Sequence, residues 1–330
     1  MVNNQKRKMT LRILSGVISA LAATFSYASD KFPDRPIQFV VPYSPGGAAD
    51  TLARTIGNKL GEELGQPVVI ENKGGGAGVI GANVATRAKP DGHTIYLGGT
   101  GFNVISPILG ILPDGYDPHV QLEPVSKVAN YRILLVVNPE SKIKSFEDLL
   151  AQAKTPKGVS YGTAGVTTTP YIGSLAVQKA AGVQMVHIPY KGEAPAALDV
   201  IGNQLDMSIN AEAAVMSNIK AGKLKPILTM NPQRLESLPD VPSISEFYPG
   251  LDTEPWFGIF TTPGTSPEVL NKLSRAIQAA LSDQSVAEKL KANFYIPDAS
   301  KSPADFKNDI NNETESWKKR LEGVTLDHKN

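Results

Sequence analysis

The sequence contains no cysteine and only four histidines, and their scarcity argues against several kinds of metal site and catalytic site. Without cysteine there is no disulfide framework, no thiolate metal site and no cysteine nucleophile. The histidines show no H-E-x-x-H or similar metal-binding spacing, and no G-x-S-x-G nucleophile elbow occurs. They are His93, His119, His187 and His328. We therefore expect no metal and no organic cofactor, and we do not expect an enzyme.

The chain also lacks a large net charge, because its 33 lysines and arginines nearly equal its 32 aspartates and glutamates in number. Four of the basic residues and none of the acidic ones fall within residues 1–28, so the rest of the chain is slightly acidic. A nucleic-acid-binding face needs clustered basic residues. The composition therefore argues against nucleic acid as a partner.

Long apolar runs are absent too. The apolar stretch at residues 13–25 is shorter than the ~20 residues that a membrane-spanning helix needs. It follows the basic cluster Lys6-Arg7-Lys8 and precedes the small residues Ser26 and Ala28. This pattern is typical of a cleavable secretory signal, with cleavage expected after Ala28, and it disfavours the alternative of a membrane anchor. We expect a soluble protein exported to a bacterial periplasm.

What the chain does contain is an alternation of short apolar strands with amphipathic helices. A strand at residues 36–42 precedes a helical pattern with apolar residues at Leu52, Ile56, Leu60 and Leu64. Strands at 66–71 and 94–97 follow, separated by a further helix. Such a βαβαβ order predicts an α/β fold with a parallel sheet that helices cover.

The same alternation resumes from the apolar strand at 133–137 and continues to about residue 210. Helices that begin at Ser266-Pro267 and Ser302-Pro303 end the chain and are too few to form a domain alone. We therefore predict a signal peptide at 1–28, a first lobe from 29–130 plus 255–330, and a second lobe from 131–254. Two crossovers between lobes make a hinge and a cleft.

Two glycine- and hydroxyl-rich loops stand out, at residues 42–50 and 162–170. Each follows a predicted strand and opens a predicted helix. Glycines allow a ligand to approach the backbone, and the positive end of the helix dipole favours an anion. A single loop of this kind is usually only a tight turn, but two in equivalent positions predict an anion site between the lobes.

The segment Gly76-Ala77-Gly78-Val79-Ile80-Gly81 matches the dinucleotide-binding pattern G-x-G-x-x-G. It follows the second strand instead of the first, and the acidic residue expected ~20 positions later is missing. We therefore interpret these glycines as permitting close helix packing.

Long, ordered motifs run from about residue 32 to 317 and include FPDRPIQFVVPYSPGGAADTLAR, VSYGTAG, HIPYKGEAPAALDVIGNQLDM and WFGIFTTPGTSPEVLNKL. In these motifs the chain resembles the Bug family, the extracytoplasmic solute-binding receptors of tripartite tricarboxylate transporters. The resemblance implies a type II periplasmic-binding-protein fold with two α/β lobes, a hinge and an interlobe cleft. It also implies capture of a small organic carboxylate, whether di- or tricarboxylate or aromatic, for inner-membrane permease subunits. A monomer is the simplest expectation.

The resemblance implies a ligand-binding role for residues in the two loops and at two further strand ends: Tyr43, Ser44, Gly46, Gly47, Thr100, Phe102, Thr163, Ala164, Gly165, Thr168, Asn210 and Glu212. Phe102 stands where the family often has histidine, which would favour an aromatic carboxylate. Glu212, if ionised in the pocket, would repel a second carboxylate and favour a polar or cationic far end. Both ligand types stay open, as do a sensor that feeds a signalling partner and, less favoured, a secreted hydrolase using Ser44.

Overall fold

The computed structural model describes residues 32–321, so the predicted signal peptide lies outside the described residues. The strands are β1 Ile37–Val41, β2 Val68–Asn72, β3 Thr94–Gly99, β4 Glu123–Asn130, β5 Ile133–Val137, β6 Ser160–Thr163, β7 Val186–Pro189, β8 Met207–Ala211, β9 Lys225–Thr229, β10 Trp256–Thr261 and β11 Ile296–Pro297. The α-helices are α1 Ala48–Leu64, α2 Val79–Thr86, α3 Ser106–Ile108, α4 Pro118–Gln121, α5 Phe146–Ala153, α6 Thr169–Ala181, α7 Glu193–Ile201, α8 Glu212–Lys220, α9 Pro267–Ser282, α10 Gln284–Ala292 and α11 Pro303–Arg320. None of the helices in this part of the chain is long and apolar enough to cross a membrane.

The first sheet has six strands in the order β11-β4-β10-β3-β1-β2. Strand β1 is parallel to both β2 and β3, with Phe39 opposite Ile70 on one side and Ile95 on the other. Its sequence IQFVV is almost wholly buried, as expected for a parallel strand with helices on both faces. Strand β10 enters antiparallel between β3 and β4, although it comes late in the sequence.

The second sheet has five strands in the order β7-β6-β8-β5-β9. Strands β6, β7 and β8 are parallel to one another, whereas β5 runs antiparallel to β8 and β9. All five residues of β5 and all five of β8 are buried. The predicted two-lobed α/β architecture is therefore confirmed, and we call the units built on the first and second sheets lobe 1 and lobe 2.

The chain passes between the sheets twice, and the two passages are bonded to each other. Between β4 and β5 only two residues intervene, and the backbone N–H of Tyr131 donates to the carbonyl of Pro255 at 2.9 Å. The side chain of Asn231 accepts from the N–H of Ile133 at 3.0 Å and donates to the carbonyl of Thr253 at 3.3 Å. The hinge is therefore a pair of short, mutually bonded segments.

Local signals in the sequence fix several helix starts. Ser145 and Asp148 form a capping box at the start of α5. Ser266 and Ser302 accept hydrogen bonds from the first turns of α9 and α11, each with proline at the first helical position.

The glycines of residues 76–81 serve close packing. A β-carbon on Gly81 would lie 3.0 Å from the Cα of Pro42, and one on Gly78 would lie 3.2 Å from the ring of Phe102. Helix α2 therefore approaches β1 more closely than a side chain at these positions would permit.

Candidate functional site

The loop between β1 and α1 is held in shape by one buried carboxylate. Asp50, in the first turn of α1, accepts from the N–H of Gly46 at 3.0 Å and from the Arg54 guanidinium at 3.0 Å. The Asn72 amide donates to the other oxygen of Asp50 at 3.0 Å and to the carbonyl of Tyr43 at 3.1 Å. Gly46 turns the chain at φ +86°, a left-handed conformation that favours glycine. These bonds direct the N-terminus of α1 toward lobe 2.

The loop between β6 and α6 in lobe 2 is held by its own hydroxyls. The hydroxyl of Thr163 accepts from the N–H of Gly165 at 3.3 Å and contacts Nε2 of His187 at 2.8 Å. The hydroxyl of Thr168 donates to the carbonyl of Gly165 at 2.7 Å, and Gly165 has φ +121°. Burial lowers the pKa of His187 to about 4, so its imidazole is neutral at neutral pH.

The two lobes meet directly across the cleft in this structure. The N–H of Ser44 donates to the carbonyl of Lys191 at 2.9 Å. The hydroxyl of Thr167 donates to the carbonyl of Ala77 at 2.7 Å. A third bond joins the N–H of Ala48, in the first turn of α1, to the carboxylate of Glu193 at 3.0 Å. The cleft is therefore closed.

A small cavity of about 20 Å³ lies between the lobes and has room for roughly one water molecule. The first turn of α1 lies on one side and the first turn of α6 on the other, so two helix N-termini of opposite lobes converge there. Its lining residues are Tyr43, Gly47, Ala48, Ala49, Tyr131, Ala164, Thr168, Pro170, Glu193 and Phe257. A ligand larger than water must therefore enter while the lobes are apart.

The hinge supplies an aromatic wall to this cavity. Tyr131 and Phe257, one from each crossover, stack with their ring centroids 4.4 Å apart and their planes at 19°. Burial raises the pKa of Tyr131 well above its usual range, and electrostatic interactions with Tyr43 and Glu193 add to the rise. Burial also raises the pKa of Tyr43, with a further contribution from Glu193. Both phenols are therefore neutral hydrogen-bond donors at physiological pH.

The structure brings eight of the twelve predicted ligand residues to the cavity or its two loops. Four line the cavity directly: Tyr43, Gly47, Ala164 and Thr168. Gly46 and Gly165 provide the left-handed turns of the loops, and Thr163 braces the second loop from within. Ser44 lies at the interlobe contact, where its backbone bonds to lobe 2.

The other four predicted residues lie apart from this cavity. Thr100 accepts from the backbone N–H of Trp256 at 3.0 Å, and Phe102 packs between the rings of Tyr96 and Tyr116. The side-chain amide of Asn210 donates to the hydroxyl of Ser208 at 2.7 Å.

Glu212, the fourth of these residues, is fully buried beneath lobe 2. Its carboxylate accepts a hydrogen bond from Ser237 and lies 3.8 Å from the Arg132 guanidinium. The structure therefore pairs Glu212 with groups of its own lobe, outside the lining of the cavity.

Three lining side chains, Tyr131, Phe257 and Glu193, lie outside the residues predicted from the sequence. The first two belong to the crossovers that the sequence located. The neighbouring Trp256 packs against Phe306 instead of lining the cavity, and its indole N–H donates to Glu313 at 2.5 Å. Glu193 could have been found from its position, because it follows a strand and opens a helix just as the two predicted loops do.

The described part of the chain offers no alternative centre of metal chemistry, since no group of three or more His, Asp or Glu side chains within residues 32–321 could hold a metal ion.

Comparison with known proteins places this geometry in context. The sequence pattern of the tripartite tricarboxylate transporter family receptor matches residues 52–326. A protein from the tcbD-tcbE intergenic region of Pseudomonas sp. strain P51 is 34% identical and covers 94% of this chain and 93% of its own length. Protein BugT of Bordetella pertussis is 33% identical over 88% of this chain and 90% of its own.

Two solved structures share the fold over most of their length. MatC from Rhodopseudomonas palustris with bound malate superposes with a TM-score of 0.82 at 26% identity, covering 87% of this chain and 99% of its own. An R. palustris structure with adipate superposes with a TM-score of 0.81 at 30% identity, covering 88% and 97%.

Proposed function

The chain belongs to the tripartite tricarboxylate transporter receptor family, which includes the Bug proteins, and we propose that its interlobe cavity captures a small organic carboxylate. The convergence of α1 and α6 carries this proposal. Helix N-termini have unsatisfied N–H groups and a positive dipole end, which together favour an anion. Two of them facing one cavity from opposite lobes would let a carboxylate bridge the lobes.

The ligands of related structures support the same chemistry. Malate and adipate, bound by the two R. palustris proteins, are both small carboxylates. The lining of this cavity contains no lysine or arginine. Backbone N–H groups and the neutral phenols of Tyr43 and Tyr131 would therefore supply the hydrogen bonds.

Transport follows from hinge motion. We take lobe 1 as residues 29–130 plus 255–330 and lobe 2 as 131–254, joined at the crossovers. Opening admits the ligand, and the ligand favours the closed form by its higher affinity for it. The closed, exported protein then delivers the ligand in the periplasm to the inner-membrane permease subunits, and we expect it to act as a monomer and without turnover.

A sensor feeding a signalling partner is the second candidate, because the same closure could present the lobes to a different protein. The hydrolase alternative receives less support. Of the three described histidines, His93 bonds with Asp34 and Asp91, His187 bonds with Thr163, and His119 lines a separate cavity with Ile310 and Asn311. None of them therefore bonds to Ser44.

The proposal is tested by a thermal-shift screen of the protein purified after export. The panel holds aliphatic dicarboxylates, tricarboxylates, aromatic carboxylates, amino acids and uncharged amides of the same acids. A ligand that binds only the folded state raises the melting temperature by mass action. We expect a rise with carboxylates and none with the matched amides. A panel without any rise, and no organic acid co-purified by mass spectrometry, would contradict the proposal.

A further inference from the structure

Among the ten residues that line the cavity, Glu193 alone carries a charge. It is the first residue of α7 in lobe 2, and its two oxygens have different partners. One accepts from the N–H of Ala48 in lobe 1 at 3.0 Å, and the other accepts from the N–H of Ala211 at the end of β8 at 2.6 Å. The carboxylate is therefore fixed by backbone donors of both lobes.

Within residues 32–321, no cation pairs with this carboxylate. Burial raises the pKa of Glu193, its bonds to Ala211 and Ala48 oppose that rise, and no lysine or arginine of the described chain contributes. The titratable side chains that share the cavity lining with Glu193 are phenols, which hold no charge at neutral pH. Glu193 interacts electrostatically with three phenols and contributes to the raised pKa of each: Tyr43, Tyr131 and Tyr295.

Glu193 also occupies a position that a ligand carboxylate would otherwise take. The N–H of Ala48 belongs to the first turn of α1, and Glu193 has already accepted it. The N-terminus of α6, bordered by Thr168 and Pro170, then takes the larger share of the ligand carboxylate, and the α1 side of the bridge is limited to Gly47 and Ala49. A second carboxylate on the ligand would face Glu193 as a like charge in a largely apolar space.

We propose that Glu193 is a specificity-determining residue that selects ligands with one carboxylate and an ammonium group at the other end over dicarboxylates of the same length. This inference rests on the proposed carboxylate-receptor function. The ligand carboxylate lies at the N-terminus of α6, and the ammonium donates to Glu193. The ionic preference considered for Glu212 from the sequence is thereby assigned to Glu193.

The test uses matched pairs that differ only in the far group: succinate with 3-aminopropanoate, glutarate with 4-aminobutanoate, and adipate with 5-aminopentanoate. Titration calorimetry on the native protein should show tighter binding of the amino acid in each pair that binds. In Glu193→Gln the affinity for the dicarboxylate, relative to that for the matching amino acid, should rise by about tenfold or more. The reason is that the variant removes the like charge that faces the second carboxylate.

Two further variants separate charge from folding and from closure. Glu193→Ala also removes the hydrogen bond to Ala48 that joins the lobes. Losing that bond weakens the binding of both ligands of a pair equally. The ratio of their dissociation constants therefore reports the effect of the charge alone. This ratio should shift in the same direction as in Glu193→Gln. Glu212→Gln changes another buried glutamate outside the cavity and should leave the ratio unchanged.

The outcomes distinguish this inference from the function on which it rests. A native protein that prefers the dicarboxylates, or a ratio that Glu193→Gln and Glu193→Ala leave unchanged, overturns the selectivity and leaves the receptor function intact. If no member of any pair binds the native protein or either variant, the selectivity is contradicted, and the carboxylate-receptor function is contradicted with it when the wider carboxylate panel also raises no melting temperature.

Discussion

Gly46 and Gly165 shape the two loops through their own backbone angles. Both lie at positive φ, +86° and +121°. A β-carbon at Gly46 would come no nearer than 3.8 Å to the side chain of Ala194, and one at Gly165 no nearer than 3.7 Å to the carbonyl of Tyr190. There is therefore space for a methyl group, and the constraint is conformational. A residue with a β-carbon costs about 1–2 kcal/mol in a left-handed conformation.

We predict that Gly46→Ala and Gly165→Ala each weaken binding of the best carboxylate from the screen by about tenfold, because strain shifts the backbone N–H groups that face the ligand. Calorimetric titration measures the effect. Gly182→Ala is the matched control, since Gly182 also has positive φ, at +62°, but ends α6 with nothing within 4 Å of its β-carbon position. Equal affinities for all three variants would show that these loops do not hold the ligand.

At the scale of the element, the β1–α1 loop depends on a single acid from the helix that follows it. Asp50 is buried, and its carboxylate accepts hydrogen bonds from Gly46, Arg54 and Asn72. Removing it takes away the charged acceptor of two part-buried hydrogen bonds, those from the N–H of Gly46 and from the Asn72 amide. A hydrogen bond to a charged group contributes about 1.5–3 kcal/mol. The loop geometry is therefore set by α1 and β2 together, and not by the loop residues alone.

We predict that Asp50→Ala lowers the free energy of unfolding by about 2 kcal/mol at pH 7, measured by urea denaturation. Arg35→Ala, which removes an exposed ion pair with Asp91, should cost less than about 1 kcal/mol. A loss no larger than that of the control would contradict the bracing role.

The loss of stability in Asp50→Ala should depend on pH. Burial alone would raise the pKa of Asp50, but hydrogen bonds from Arg54, Gly46 and Asn72 lower it below its usual value. The stability that its ionised form contributes is present above the unfolded pKa of about 3.9 and is lost as the pH falls through the folded pKa. The difference between the native protein and Asp50→Ala should therefore narrow below about pH 4.

Sequence patterns predicted the elements that carry strong local signals. Strand β5 and the capped starts of α9 and α11 were predicted because apolar runs and Ser-Pro caps are local. Strand β4 was missed, since its sequence EPVSKVAN contains a proline and four polar residues. It is a strand because β10, more than a hundred residues later, pairs with it.

The same division holds for the site. The two glycine-rich loops were predicted because each lies between a strand and a helix in the sequence. Glu193 also follows a strand and opens a helix, but it reaches the cavity only because α7 of one lobe faces α1 of the other, and that approach between lobes is not encoded locally. Tyr131 and Phe257 stack because the two crossovers run side by side.

At the scale of the whole molecule, closure depends on Gly101, where lobe 1 touches the start of α6. A β-carbon there would lie 2.6 Å from the backbone nitrogen of Thr169 and would also overlap the carbonyl of Thr167. Both contacts are to lobe 2, so they vanish when the lobes part. Overpacking of this kind costs about 1–3 kcal/mol. The penalty falls on the closed form alone.

We predict that Gly101→Ala folds normally but favours the open form, so that the best carboxylate from the screen binds about ten- to hundredfold more weakly. Small-angle X-ray scattering should show that the ligand contracts the native protein more than the variant at equal ligand concentration. Gly202→Ala is the control, because its β-carbon would lie 3.4 Å from the carbonyl of Leu198, within α7 of lobe 2 and away from the cleft. If Gly101→Ala contracts and binds as the control does, the ligand-bound protein is not closed by the contact between Gly101 and α6, and the bound state must hold the lobes farther apart than this structure does.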